Sequence, residues 1–128
     1  MIKTITNPKY KVGGHYSQGK IIGDLLFTCG HIAYNTETGL LVNDNIKEET
    51  KTILKNLDSL AKVANSNLQN AVKITSYLTD MKYFEEYDLA FKEYFPRDPP
   101  TRTTVQVGPL VRDVHIEIEA IIYLSKKE

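Results

Sequence analysis

A chain of 128 residues, 41% of them hydrophobic and 25% charged, is long enough for one folded domain and too hydrophobic for intrinsic disorder. Sixteen basic residues balance 16 acidic ones, so the chain lacks the basic excess with which nucleic-acid-binding proteins neutralise phosphates. One cysteine, Cys29, cannot form an internal disulfide, which fits a reducing compartment. No apolar run reaches the roughly 20 residues of a membrane span. We therefore expect a single cytoplasmic domain over residues 1–128 with no membrane partner, and the charge balance does not favour a nucleic-acid partner.

The first third of the chain predicts β-strands. Residues 15–22 and 25–32 are rich in strand formers, and the pair Gly23-Asp24 between them is a turn signal. Residues 35–39 have the composition of a loop. We therefore expect two strands joined by a turn and followed by a loop.

The middle of the chain predicts two helices separated by a strand. Residues 46–64 place one stripe of side chains at helical period, namely Ile46, Thr50, Ile53, Leu54, Leu57, Leu60, Ala61 and Ala64. Residues 71–79 alternate as a strand does, and Asp80 is a candidate N-cap for the second helix. The apolar stripe of that helix consists of Phe84, Tyr87, Phe91, Tyr94 and Phe95. Pro96 and Pro99-Pro100 end it.

Residues 103–107 and 114–124 predict the last strands. The order of elements is then strands, helix, strand, helix, strands. This order predicts an α+β domain in which two helices pack on one face of a mixed sheet.

The last strand has two different faces. Its first face is apolar and suits contact with the helices: Val114, Ile116, Ile118, Ala120 and Ile122. Its second face mixes acids with apolar groups: His115, Glu117, Glu119, Ile121 and Tyr123. Two helices cannot cover both faces of the sheet, so the second face is either solvated or part of a subunit interface that includes a polar site.

Cys29 and His31 are the first candidate site residues, because they share one face of a predicted strand. No second Cys/His pair stands at ligand spacing, so we expect no metal site. Side chains two residues apart on a strand lie ~7 Å from each other, which is too far for His31 to activate the thiol directly. Taken alone, Cys29 fits a small buried hydrophobe.

Arg102 and Glu117 are the second pair of candidates. The commonest interpretation of each position is a solvated residue on the protein surface. Alternatively, the guanidinium of Arg102 binds a carboxylate bidentately, and Glu117 positions a water molecule in a pocket.

Several segments together resemble the RidA/YjgF family, in order and at its spacing, over nearly the whole chain. They are GHYSQ at 14–18, LLFTCGHI at 25–32, VKIT at 72–75, LTDM at 78–81, PTRT at 100–103, VQV at 105–107 and IEIEA at 116–120. The arginine segment followed by the IEIEA strand is the most specific part of the resemblance.

The resemblance implies a chorismate-mutase-like α+β fold and a homotrimer with a central β-barrel and active sites between subunits. It implies hydrolysis of 2-aminoacrylate-type enamines and imines, such as 2-iminopropanoate and 2-iminobutanoate, to 2-keto acids and ammonia. No cofactor or metal is implied. The alternatives are a non-catalytic trimer that binds small molecules or regulates, and an endoribonuclease, against which the neutral charge argues.

By position in the family motifs, Arg102 is expected to bind the substrate carboxylate and Glu117 to hold the attacking water. The resemblance also places a further set of residues around the substrate: Tyr16, Cys29, Gly30, His31, Asp88 and Thr104. The chain departs from the commonest family residues in having His15 and Ala33 for Pro, Cys29 for Ser, His31 for Gln, Asp88 for Asn and Thr104 for Cys. These departures leave the preferred substrate open.

Overall fold

A computed structural model describes residues 1–125, which form a six-stranded mixed sheet with two helices on one face. The elements in chain order are β1 (Lys3–Ile5), β2 (Gly19–Ile22), β3 (Leu25–Thr28), β4 (Tyr34–Asn35), β5 (Leu40–Leu41), α1 (Ile46–Val63), β6 (Ala71–Leu78), α2 (Phe84–Tyr94), β7 (Thr101–Gln106) and β8 (Ile116–Tyr123). The sheet order is β1-β2-β3-β8-β6-β7, and β4 and β5 form a separate hairpin. Strands β6 and β7 run parallel, whereas the other neighbours are antiparallel. The predicted α+β architecture is confirmed.

Helix α1 forms where the helical period predicted it, and it ends within one residue of the expected boundary. Asn45 caps its first turn, because the Asn45 side chain accepts a hydrogen bond from the backbone N–H of Glu48 at 2.9 Å. Leu54, Leu57 and Leu60 are fully buried against the sheet. Burying a leucine side chain contributes about 1.5–3 kcal/mol, so this face anchors the helix.

The second helix is preceded by an extra turn. Asp80 caps a short 3₁₀ turn, Met81–Tyr83, by accepting from the backbone N–H of Lys82 at 2.8 Å, and α2 follows it. The aromatic side chain of Tyr87 is fully buried in the core. The prediction of Asp80 as a cap is therefore right, although the cap acts on the turn that leads into α2.

The early strands are shorter than predicted. In the predicted strand 15–22 only residues 19–22 pair, because the preceding loop is held by the buried side chain of Gln18, which bonds the backbone of Asn7 and Tyr10. The predicted strand 25–32 ends at Thr28, after which His31 alone makes an isolated bridge to Ile118.

Three short strands were not predicted, since each is too short to show a period of two. Strand β1 pairs with β2, and the β4–β5 hairpin pairs Asn35, from the region expected to be a loop, with Leu40 just beyond it. Strand β7 begins at Thr101 rather than at residue 103, because its first residues pair with β6.

The two faces of β8 differ as predicted. Ile116, Ile118 and Ile122 are fully buried under the helices, and Glu117 and Glu119 lie on the opposite face. The strand starts at Ile116 instead of residue 114, because a 3₁₀ turn occupies Val111–Asp113. Within residues 1–125, no helix is both long and apolar enough to cross a bilayer.

Candidate functional site

A cavity of about 400 Å³ opens on the side of the sheet that the helices leave uncovered. Tyr16 reaches it from the loop before β2, Cys29 and Gly30 from the end of β3, and Glu117 from β8. Four of the candidate site residues are therefore brought together from two segments in the first third of the chain and one near its end.

Glu117 and Gly30 are in direct contact within this cavity. A Cβ atom at Gly30 would collide with Oε2 of Glu117 and would lie 2.8 Å from its Cδ, so a side chain at residue 30 excludes the observed position of the carboxyl group. Burial, followed by the nearby charge of Glu119, raises the pKa of Glu117 above its ordinary value. A carboxylate with a raised pKa is a stronger base than an exposed glutamate.

Cys29 and His31 are closer than the sequence predicted. The expected separation of ~7 Å is wrong: Sγ of Cys29 lies 3.7 Å from Nδ1 of His31. The extended strand ends at Thr28, and the irregular backbone that follows brings the two side chains together. Burial raises the pKa of Cys29 to about 11, with a smaller contribution from Glu117, so the thiol stays protonated and is a weak nucleophile.

His31 lies behind the wall of the cavity and is fully buried. Its ring stacks on Tyr10 with centroids 4.3 Å apart. Nδ1 lies 3.1 Å from the carbonyl oxygen of Cys29, which only accepts, so the neutral ring carries its proton on Nδ1. Burial lowers the pKa of His31 to about 4. His31 therefore contacts Cys29 from within the core and does not line the cavity.

Arg102 lies in a second cavity, of about 340 Å³, together with Asp88. One guanidinium nitrogen of Arg102 is 2.9 Å from Oδ1 of Asp88. The guanidinium also stacks over Tyr87 and Phe91, with its central carbon 4.9 and 4.8 Å from the ring centroids. Thr104 lies nearby and shares a hydrogen bond of 2.9 Å with the hydroxyl of Tyr87. Asp88 therefore faces Arg102, and Arg102 is already held by an anion and by aromatic rings.

Arg102 and Glu117 lie on opposite faces of the sheet. In the register, Arg102 is opposite Ile74, which is buried under the helices, whereas Glu117 is opposite Tyr77. Residues 74 and 77 are an odd number of positions apart on one strand, so their side chains point to opposite faces. One chain alone does not bring these two side chains to the same small substrate.

Further residues of the first cavity were missed by the sequence analysis. The cavity is also lined by Tyr10, Lys11 and Arg112. Arg112 and Asp113 both adopt left-handed backbone conformations, with φ of 57° and 55°. No periodic pattern marks these residues, because the loops that bring them to the cavity follow no period. Within residues 1–125, no group of three or more His, Cys, Asp or Glu side chains forms a metal site.

Comparisons with known proteins agree with this fold. Residues 6–124 match the family model described as Endoribonuclease L-PSP. A RutC family protein from Pyrococcus abyssi is 39% identical over 110 residues, which cover 86% of this chain and 87% of that protein. Reactive Intermediate Deaminase A, chloroplastic, from Arabidopsis thaliana is 33% identical over 111 residues, 87% of this chain and 59% of that protein. The crystal structure of E. coli TdcF with bound serine superposes with a TM-score of 0.89 at 31% identity, covering 96% of this chain and 99% of that one.

Proposed function

This chain belongs to the Endoribonuclease L-PSP family, also called RidA/YjgF, and we propose that it hydrolyses reactive enamine and imine intermediates to 2-keto acids and ammonia. The observation that carries the proposal is the contact of the Glu117 carboxyl group with Gly30 in a cavity of small-molecule size. Similarity to a protein named Reactive Intermediate Deaminase A supports the same class of reaction. The substrates we propose are 2-iminopropanoate and 2-iminobutanoate. We also propose a cytoplasmic location, because the free thiol of Cys29 suits a reducing compartment.

The chemistry needs one base and one water molecule. Glu117 takes a proton from water while the water oxygen attacks the carbon of the protonated imine, which gives a neutral carbinolamine. Glu117 then gives this proton to the nitrogen, the carbon–nitrogen bond breaks, and ammonia leaves while the hydroxyl group returns its proton to Glu117 and becomes the keto group. Glu117 releases that proton to ammonia, so that ammonium and the keto acid are the products. Water supplies the oxygen of the product, and no electrons are gained or lost. The raised pKa of Glu117 makes its carboxylate a stronger base for taking the proton from water.

The second part of the proposal is a composite site in a homotrimer. Arg102 and Glu117 lie on opposite faces of one sheet, so a substrate that touches both must lie between two subunits. We propose that the uncovered sheet faces meet in a central barrel. In this assembly Arg102 of one subunit binds the substrate carboxylate beside the Glu117 cavity of the next.

A coupled assay tests the activity. A serine or threonine dehydratase generates the imine in situ, and the rate of keto acid formation is compared with and without this protein. We expect Glu117→Gln to lower kcat by about 10²–10⁴-fold, because it removes the base at constant shape. We expect Arg102→Ala to lower kcat/KM about ten- to hundredfold. The matched control is Arg97→Ala, since Arg97 is exposed and outside both cavities. Parental rates in both test variants would overturn the proposal.

One observation favours a second candidate, a small-molecule-binding trimer without turnover. Asp88 already occupies one side of Arg102, which weakens the attraction of Arg102 for an incoming carboxylate. Keto acid binding in calorimetry, with no acceleration in the coupled assay, is the result that this candidate predicts.

A further inference from the structure

Two cations line the Glu117 cavity and have no role in the reaction described above. Lys11 comes from the loop before β2, and Arg112 comes from the turn before β8. Among residues 1–125, neither has a carboxylate within 4.0 Å, whereas Arg102 is paired with Asp88. The cations that this chain itself offers to an anion in the cavity are therefore Lys11 and Arg112.

The two cations and the reacting carboxyl group line one cavity. Glu117 contacts Gly30, whereas Lys11 and Arg112 belong to two loops that complete the lining. The cavity thus has a carboxyl group at the Gly30 wall and positive charge elsewhere on its lining.

The cavity is also larger than a three-carbon imino acid needs. Its volume of about 400 Å³ falls within the ~300–1,000 Å³ typical of pockets for larger ligands. A substrate that fills it extends well beyond its imine carbon and α-carboxylate. The lining offers that extension either the cations of Lys11 and Arg112 or the apolar surfaces of Tyr10 and Tyr34.

We propose that Lys11 and Arg112 bind a distal anionic group, so that the preferred substrate is an imino acid derived from a dicarboxylic amino acid. This inference rests on the proposed deaminase function and names its substrate class. An arginine fork and a lysine ammonium together hold a carboxylate in water-exposed sites by charge-assisted hydrogen bonds. A neutral side chain of the same length leaves both cations in the cavity without a counter-charge.

The test compares imines that differ in their distal group. An amino-acid oxidase with molecular oxygen generates imines from alanine, glutamate and phenylalanine, and keto acid release is measured above the spontaneous rate. We expect kcat/KM for the glutamate-derived imine to exceed that for the alanine-derived imine about ten- to hundredfold, which is the effect of one or two charge-assisted contacts. A preference for the phenylalanine-derived imine would overturn the proposal and assign the cavity to its tyrosines.

Variants connect the preference to the two cations. Lys11→Gln and Arg112→Gln should each reduce the ratio of dicarboxylic to monocarboxylic turnover, whereas the matched controls Lys9→Gln and Arg97→Gln should keep it, because neither control residue lines the cavity. In the parent, added salt should reduce turnover of the dicarboxylic imine more steeply than turnover of the monocarboxylic imine. An unchanged ratio in both test variants would overturn the inference.

A binding measurement separates failure of this inference from failure of the proposed function. Calorimetry with 2-oxoglutarate, pyruvate and phenylpyruvate requires no turnover. Tighter binding of 2-oxoglutarate that is lost in Lys11→Gln supports the anion site even if no imine is hydrolysed. Equal binding of all three keto acids would refute it even if imines are hydrolysed.

Discussion

Replacing Gly30 by alanine tests whether the position of the Glu117 carboxyl group matters for activity. The added Cβ would lie 2.8 Å from Cδ of Glu117, whereas carbon atoms pack at about 3.5 Å or more. Cδ must therefore retreat by about 0.7 Å, and Oε2, which is nearer still, must move further. The clash falls on the movable end of a side chain, so the side chain is expected to turn while the backbone stays in place.

The cost of Gly30→Ala to stability is modest. Driving Glu117 off its rotamer costs about 0.5–1.5 kcal/mol, and alanine offsets about 0.4–1 kcal/mol by restricting the unfolded chain. We expect the free energy of unfolding to change by less than about 1 kcal/mol. A displacement near 1 Å of a catalytic group, in contrast, lowers the rate by about 10². The variant should therefore fold normally and lose about two orders of magnitude in kcat/KM.

The assay is the coupled imine assay, with unfolding by denaturant as the measure of stability. Gly108→Ala is the matched control, because a Cβ at Gly108 meets no atom within 4 Å. If Gly30→Ala acts through Glu117, combining it with Glu117→Gln should lower the rate little below that of Glu117→Gln alone. Parental kcat/KM in Gly30→Ala would refute the catalytic role of this contact, and additive losses in the double variant would refute its route through Glu117.

Three further predictions follow from the charges and the uncovered sheet face. Asp88→Asn should lower KM for 2-iminopropanoate by about tenfold. The carboxylates of Asp88 and of the substrate, ~6 Å apart at an effective dielectric of ~20, repel by about 3 kcal/mol, and partial exposure screens part of this. An unchanged KM would contradict a role for Asp88 at Arg102. His31→Gln should make the free energy of unfolding depend less on pH below ~6.5. The pKa of His31 is about 4 in the folded protein and ~6.5 in the unfolded chain, so the unfolded chain takes up a proton first as the pH falls. The parent is therefore fully stabilised above pH ~6.5 and loses about 3 kcal/mol by pH ~4. Denaturant unfolding at pH 7 and 4, at one protein concentration, measures this, and parallel losses in both proteins would contradict it. Light scattering at micromolar concentration should give three times the 14.6 kDa chain mass, whereas a monomer would contradict the composite site.

Local patterns in the sequence determined most of the regular elements. The stripe at helical period located α1 within one residue of its end, and the alternation of the last strand correctly assigned Ile118 to the core and Glu117 to the opposite face. Both signals are periodic and arise from a single element that faces a core on one side. Short strands such as β1 and β4 lack the length to show a period, and they form because a neighbouring strand pairs with them.

The tertiary structure alone decided how the candidate residues are grouped. The sequence named Arg102 and Glu117 as one pair, but the register of β6, β7 and β8 puts them on opposite faces. It also predicted Cys29 and His31 too far apart, because the end of β3 at Thr28 depends on pairing with distant strands.

The lining of the cavity is the feature that the sequence predicted least well. Lys11 and Arg112 reach it through loops, and the left-handed backbone of Arg112 has no signature in the residue type. The closeness of Gly30 to Glu117 likewise depends on two segments that are far apart in the chain. Residue types and short-range periodicity determine which faces are buried, because both act within one element. Contacts between elements depend on strand register and loop conformation, which the folded chain settles as a whole.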